Sequence, residues 1–227
     1  MPLATYKDLC IDANDPGRLG RFWAAVLRLE FHALDDGDAK LTGPTPAHTV
    51  WINRVPEPKT VKHRVHLDVN AASVAEVERL GATVLDGHSH RWTVMADPEG
   101  GEFCVFVRDG GISRRLYELG VDTADSPEAA HRIAAWWAHV LDARLVDHDS
   151  GFSYVEDITG APFEALVFAP VPEPKQVKNR IHIDVTTADL GGLHAAGATV
   201  LRAQDDEIRW HVMADPDGNE FCAFVTG

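Results

Sequence analysis

Two short runs place histidine between arginine and aspartate at alternate positions: Arg64-Val65-His66-Leu67-Asp68 and Arg180-Ile181-His182-Ile183-Asp184. In an extended chain alternate residues share a face. Each run therefore presents a guanidinium, an imidazole and a carboxylate on one side, and Val65, Leu67 or Ile181, Ile183 on the other. The same rule groups Glu102 with Cys104 and Phe106, and Glu220 with Cys222 and Phe224. Asp8, Cys10 and Asp12 form a third such row, matched by Glu118, Gly120 and Asp122. Such a face can hold a hydrogen-bonded charge network, a metal ion, or a metal-free ligand pocket. Arg64 and Arg180 cannot ligate a metal because they stay protonated, but they can pair with an anionic group. Asp68 or Asp184, held by arginine, could act as an acid or base. Cys104 and Cys222 could serve as ligands or nucleophiles, although a strand cysteine is more often a small buried hydrophobe. Trp51, Trp92 and Trp210 could stack on a flat ligand if they share this face, with core packing as the default.

The elements that position these residues occur twice. Residues 55–72 read VPEPKTVKHRVHLDVNAA and 171–188 read VPEPKQVKNRIHIDVTTA; residues 91–107 read RWTVMADPEGGEFCVFV and 209–225 read RWHVMADPDGNEFCAFV. Each copy exceeds 100 residues, the size of a domain rather than a solenoid unit. The sequence predicts a first domain over 1–109, a linker over 110–115 and a second domain over 116–227. Strands are expected over 6–13, 63–70, 83–86, 92–96 and 102–107, with later counterparts at 199–202, 210–214 and 220–225. Asp15-Pro16 gives a helix cap with proline at the first helical position. Leu19, Phe22, Trp23 and Val26 then recur on one helical face, as do Ile133, Trp136, Trp137 and Val140. Ser73 and Glu76 form a capping box before Val77, Leu80 and a stop at Gly81. His88, His90 and Arg91 lie in a turn whose second copy carries Asp205, Asp206 and Glu207, so a chance surface cluster is expected there.

The chain has 227 residues, 45% of them apolar, and a formal net charge of −14. That is enough apolar matter for a real core. The acidic balance disfavours nucleic-acid and anionic-membrane partners, which need a positive surface. Three widely spaced cysteines argue against a disulfide framework and for a reducing, cytoplasmic setting. No leader peptide is evident at the N-terminus and no apolar run reaches the 18 residues of a spanning helix. No phosphate loop, HExxH, GxSxG or CxxC motif is present.

Four strand–helix–strands units, two per copy, with the VPEPK…R-x-H-x-D and MADP-x-G-x-EFC blocks, resemble the vicinal oxygen chelate superfamily. That superfamily includes glyoxalase I, bleomycin-resistance proteins and extradiol dioxygenases, and the closer likeness is to its glyoxalase-like subgroup. The resemblance implies an α+β chain of two tandem domains, built from βαβββ half-units, whose mixed sheets curl into cups with helices outside. It implies metal ligands on the cup floor, from first and last strands of the half-units. Aligned on the family's pattern, the histidine position falls on Arg64 or Arg180 and the glutamate position on Cys104 or Cys222. A metal site would shift two residues, to His66 and Glu102 and to His182 and Glu220, with Asp8 or Glu118 as a further ligand or base. A histidine with carboxylates suits Zn, Fe, Mn or Ni. The implied activity is a metal-dependent lyase, isomerase or oxygenase on a small oxygen-rich metabolite. The alternative is a metal-free protein that binds an aromatic natural product. A small-molecule partner is expected, in a monomer or homodimer.

Overall fold

The computed structural model describes residues 1–226. Each half-unit opens with a long strand: β1 (Thr5–Ala13), β5 (Val65–Ala71), β9 (Leu116–Thr123) and β13 (Ile181–Thr187). A helix follows each one, and three shorter strands complete the half-unit. The helices are α1 (Pro16–Leu27), α2 (Val74–Glu78), α3 (Pro127–Leu141) and α4 (Leu190–Ala195). The short strands are β2 (Glu30–Ala33), β3 (Ala39–Thr42) and β4 (Val50–Arg54), then β6 (Thr83–Asp86), β7 (Thr93–Ala96) and β8 (Glu102–Val107). In the second copy they are β10 (Arg144–Asp147), β11 (Ser153–Glu156) and β12 (Ala165–Pro170), then β14 (Thr199–Arg202), β15 (His211–Ala214) and β16 (Glu220–Val225).

Local chemistry explains the helix ends. The Asp15 side chain accepts from the Arg18 amide at 3.0 Å, and Ser126 Oγ accepts from the Ala129 amide at 3.1 Å, each just before a proline. These oxygens satisfy amides that have no partner within the helix. Ser126→Ala is expected to cost about 1 kcal/mol, read as a shift in the urea midpoint without a change in slope. The Ser73 cap also forms, with the Glu76 carboxylate returning to the Ala72 amide at 3.0 Å. Helix α2 ends at Glu78, however, so Leu80 lies beyond it and is exposed.

The core sits between the helices and the sheets. Leu19, Phe22, Trp23 and Val26 are buried, as are Ile133, Trp136, Trp137 and Val140. Phe103 meets Trp23 edge-on at 5.1 Å, and Phe221 meets Trp137 likewise at 5.4 Å. Val65, Leu67 and Val69 pack on this side, as the alternation requires. The other face of each sheet carries the polar rows.

The pairing of half-units crosses the sequence repeat. One eight-stranded sheet runs β14-β15-β16-β13-β1-β4-β3-β2, and the other runs β10-β11-β12-β9-β5-β8-β7-β6. The first half-unit thus joins the fourth, through antiparallel β1 and β13, and the second joins the third, through β5 and β9. Two cup-like sheets result, each drawing one half from each copy. The outer sheet of this nesting brings the two ends of the chain together, and the inner one bridges the short connection from β8 to β9. Asp8 was expected to approach His66; it instead lies opposite Asp184, while Glu118 lies opposite Asp68. The cause is this cross-pairing, which sends each first strand to the lead strand of the other copy.

Candidate functional site

The two sheet centres carry matching but unequal side chains. In the β5–β12 sheet, Asp68 lies opposite both Glu118 and Cys104, and His66 lies opposite Gly120. His66 Nε2 is 3.3 Å from Asp68 Oδ1. One donor atom from each of His66, Asp68 and Cys104 falls within 4.8 Å of the others. In the other sheet, Asp184 lies opposite Asp8 and Cys222, and His182 lies opposite Cys10. There Cys10, His182 and Asp184 form the corresponding group. Asp68 Oδ1, Asp184 Oδ1 and Asp8 Oδ1 are buried without a hydrogen-bond partner. Orphaned acceptors beside an imidazole and a thiol fit a divalent cation that tolerates sulfur, such as zinc or iron, better than magnesium or calcium.

Glu102 and Glu220 are not brought to these groups. Glu102 accepts from Lys59 Nζ at 2.8 Å and from the His63 amide at 2.9 Å. Glu220 accepts from Lys175 Nζ at 2.8 Å and from the Asn179 amide at 3.0 Å. Each stands at the first residue of its strand, where the VPEPK connector passes, and satisfies the connector's donors. The expected His66–Glu102 and His182–Glu220 ligand pairs therefore give way to His66 with Asp68 and Cys104, and His182 with Asp184 and the cysteines.

Arg64 and Arg180 are also used by the connectors. Arg64 donates to the Glu173 carbonyl and, at 2.8 Å, to the Asp122 carbonyl. Arg180 donates to the Glu57 carbonyl at 2.7 Å and to Glu99 Oε2 at 3.3 Å. Each arginine thus ties its strand to the opposite copy's connector. They line a cavity of about 790 Å³ between the two connectors, and none of the His–Asp–Cys donors lines it.

A β-bulge beside each cup centre makes the two sheets electrostatically different. The register between β1 and β13 shifts between Tyr6 and Asp8, and that between β5 and β9 shifts between Asp68 and Val69. A bulge re-aims the extra residue. In the first case that residue is Lys7, whose Nζ meets Asp8 Oδ2 at 2.6 Å and lies 4.1 Å from the centre of the Phe224 ring. Trp51 Nε1 donates to the same Asp8 oxygen at 3.1 Å. In the second case the bulged residue is Tyr117, which brings no positive charge. Burial, reinforced by the Asp68 charge, pushes the Glu118 carboxyl up to about 7. The histidines diverge too. Burial opposes charge on His66, but Asp68 and then Cys104 outweigh it and hold it well above the usual range. Burial, with Lys178 adding to it, lowers His182 to about 4.

The tryptophans expected to favour the core lie half-buried on the polar side. Trp92 stacks on Phe106 at 5.5 Å and on His90 at 4.7 Å, and Phe106 meets Tyr117 edge-on at 5.2 Å. Arg108 lies over Tyr117 and Phe106 at 4.6 and 5.4 Å. Trp210 packs against Phe224 at 5.4 Å. Sequence reasoning gave His90, Tyr117 and Arg108 no part in this wall, and gave Cys10 no role beyond its row. The row match of Cys10 with Gly120 already carried that difference, and extending it by three positions pairs Lys7 with Tyr117.

Comparison with known proteins follows the same architecture. Glyoxalase I from Zea mays superposes with a TM-score of 0.65 at 13% identity, over 97% of this chain and 92% of that one. A putative dioxygenase from Bacillus subtilis gives 0.64 at 12% identity, over 99% and 86%. At such identities the likeness concerns the fold. No curated protein matches the sequence. The model of the glyoxalase-like domain matches residues 8–106 and again 119–224. The chain therefore belongs to the glyoxalase-like domain family and carries that domain twice.

Proposed function

We propose that the polar face of the β5–β12 sheet is the active site of a metal-dependent lyase, isomerase or oxygenase acting on a small oxygen-rich metabolite. The observation that carries this reading is the convergence of three donors, His66, Asp68 and Cys104, with the Glu118 carboxyl opposite Asp68 across the strand pair. Catalytic metal sites characteristically keep three protein ligands and leave a position for substrate. A divalent cation held by these donors would polarise a substrate carbonyl or hydroxyl oxygen. Glu118, which faces Asp68 across the strand pair, would take a proton from the substrate and return it. The wall of Trp92, Phe106 and Tyr117 would seat the substrate's carbon skeleton and keep water out, with Arg108 at its rim available to an anionic group. Asp8, Asp184 and Trp51 would not take part, because they belong to the other sheet.

The test is elemental analysis of untagged protein, followed by a screen of vicinal diols, epoxides and α-keto compounds. Near-stoichiometric transition metal that declines in His66→Ala, with turnover that follows the metal, is the expected result. A protein that neither contains nor takes up Zn, Fe, Mn or Ni would overturn it. The stacked Trp92 and Phe106 favour a second reading, a metal-free binder of flat aromatic compounds. Saturable quenching of tryptophan fluorescence, unaffected by chelator and without turnover, would mark that case.

A further inference from the structure

A cavity of about 460 Å³ opens where the chain passes from its first copy to its second, and none of the His–Asp–Cys donors lines it. Residues 112–116 form one side; residues 27–29 at the end of α1, residues 47–50 and residues 161–162 form the rest. Its size is that of a small-molecule pocket. Leu27, Leu29, Val50, Ile112 and Leu116 make much of the wall apolar. The ionisable lining is Arg28, Arg114, Arg115 and His48, and among the described residues no carboxylate lines it. Within a chain of net charge −14, such a cavity is a local positive field.

The arginines are only partly neutralised. Arg115 Nη2 meets Glu76 Oε1 at 2.6 Å, Arg28 Nη2 stands 3.7 Å from the same oxygen, and Arg114 Nη1 lies 3.6 Å from Glu164 Oε1. Among the described residues these three cations share two carboxylates, which leaves one positive charge for a ligand. Two donors on lining residues also lack partners, Arg115 Nε and the Tyr6 hydroxyl. Arg115 and Tyr6 are only 9 and 6% exposed, so bulk water does not satisfy them. Unpaired buried donors are costly, and an oxyanion that accepts from them removes the cost. The backbone of the cluster is already fixed. The Asn70 amide donates to the Arg115 carbonyl at 2.9 Å, and Asn70 Nδ2 donates to the Arg114 carbonyl at 3.0 Å. The other copy has no such cluster. The register that matches Cys10 with Gly120 puts Ala4 and Thr5 where Arg114 and Arg115 stand, and the left-handed residue that closes α3 is Asp142 where Arg28 closes α1.

We propose that this cavity binds a small organic monoanion, a carboxylate on an aliphatic body, at a site separate from both cups. A guanidinium matches the geometry of a carboxylate and binds it through charge-assisted hydrogen bonds. The single uncompensated charge selects a monoanion over a dianion, and the apolar wall takes the carbon skeleton. The lining comes from the first and third half-units, and Glu76 reaches its arginines from the second. A bound acid therefore joins the two copies at their connection. This site is independent of the proposed activity, because it shares no residue with that face.

The test is isothermal titration of the full-length protein with octanoate, and with octanol as its uncharged match. Octanoate is expected to fill one saturable site, and octanol to bind about tenfold more weakly or worse. The Arg28→Met, Arg114→Met double variant should weaken octanoate by about tenfold or more. Both side chains are well exposed, so this variant is expected to fold, whereas Arg115 also holds Glu76 and the Asn70 carbonyl. Ala161→Leu fills the cavity with every arginine in place and should weaken octanoate to a similar degree. Octanoate seated in a cup would bind both variants as it binds the wild type. Either folded variant retaining wild-type affinity would therefore overturn the proposal. So would folded wild-type protein that takes up no octanoate at millimolar concentration, or that binds octanol equally well.

Discussion

Gly120→Ala should lower activity at the β5–β12 sheet by about 100-fold or more while leaving the protein folded. Gly120 sits within β9, where an alanine is tolerated by the backbone. A methyl group added there would collide with Nε2 and Cε1 of the His66 ring. The imidazole must swing away, and its Nε2 is the atom that meets Asp68. The expected cost in stability is small, about 1 kcal/mol, because only one side chain has to move. Metal content, steady-state rate and circular dichroism on the same preparation separate the two effects. An active Gly120→Ala protein with wild-type metal content would show that the His66 position is dispensable.

Glu118→Gln should reduce turnover by about 10²–10⁴-fold and yet stabilise the metal-free protein at alkaline pH. The folded carboxyl sits at about 7, above its unfolded value of 4.5. Such a group stabilises the fold fully below the unfolded value, and that contribution is lost as pH rises through about 7. Glutamine carries no charge to bury, so the variant escapes the loss. With chelator present and after discounting for the carboxyl's partial exposure, the gain at pH 8 is about 1–2 kcal/mol, or roughly 4 °C in melting temperature. At pH 4 the two proteins should melt together. A variant that is destabilised at pH 8 would show that Glu118 is ionised and well paired in the native state. The stabilised, inactive outcome is the usual signature of a site that trades stability for function.

Much of the architecture was legible in the chain. The strand carrying Val65, Leu67 and Val69 and the helix carrying Leu19, Phe22, Trp23 and Val26 follow from periodicity alone, because burial of one face enforces it. The duplication was equally plain. Which half-unit joins which was not legible, because long-range pairing leaves no local periodic signal. That single fact moved Asp8 to His182 and Asp184, and gave Glu118 to His66 and Asp68. Alternation also fixes a face without fixing depth along a strand. His66, Glu102 and Cys104 all read as facing the cup, but Lys59 and the connector amide claim Glu102, and Cys104 is left to meet the histidine. The bulges at Lys7 and Tyr117 have no sequence signature of their own, and they set the charge beside each carboxyl.

The polar wall was half legible for the same reason. Trp92 and Phe106 lie on strands or at their ends, where alternation applies, whereas His90 and Arg108 lie in flanking segments where it does not. Placing the aromatics and the ionisable donors on one face gives that sheet both a surface for a carbon skeleton and groups for its oxygens, which is the division of labour expected of a small-molecule site.

The most direct measurement is an anomalous difference map at the zinc edge, from crystals of the wild-type protein grown with zinc. A peak is expected at the β5–β12 sheet within about 2.0–2.3 Å of His66, Asp68 and Cys104, with no fourth protein ligand. An ordered, zinc-saturated crystal with no peak there, and His66 Nε2 still 3.3 Å from Asp68 Oδ1, would contradict the assignment of that face as a metal-dependent active site.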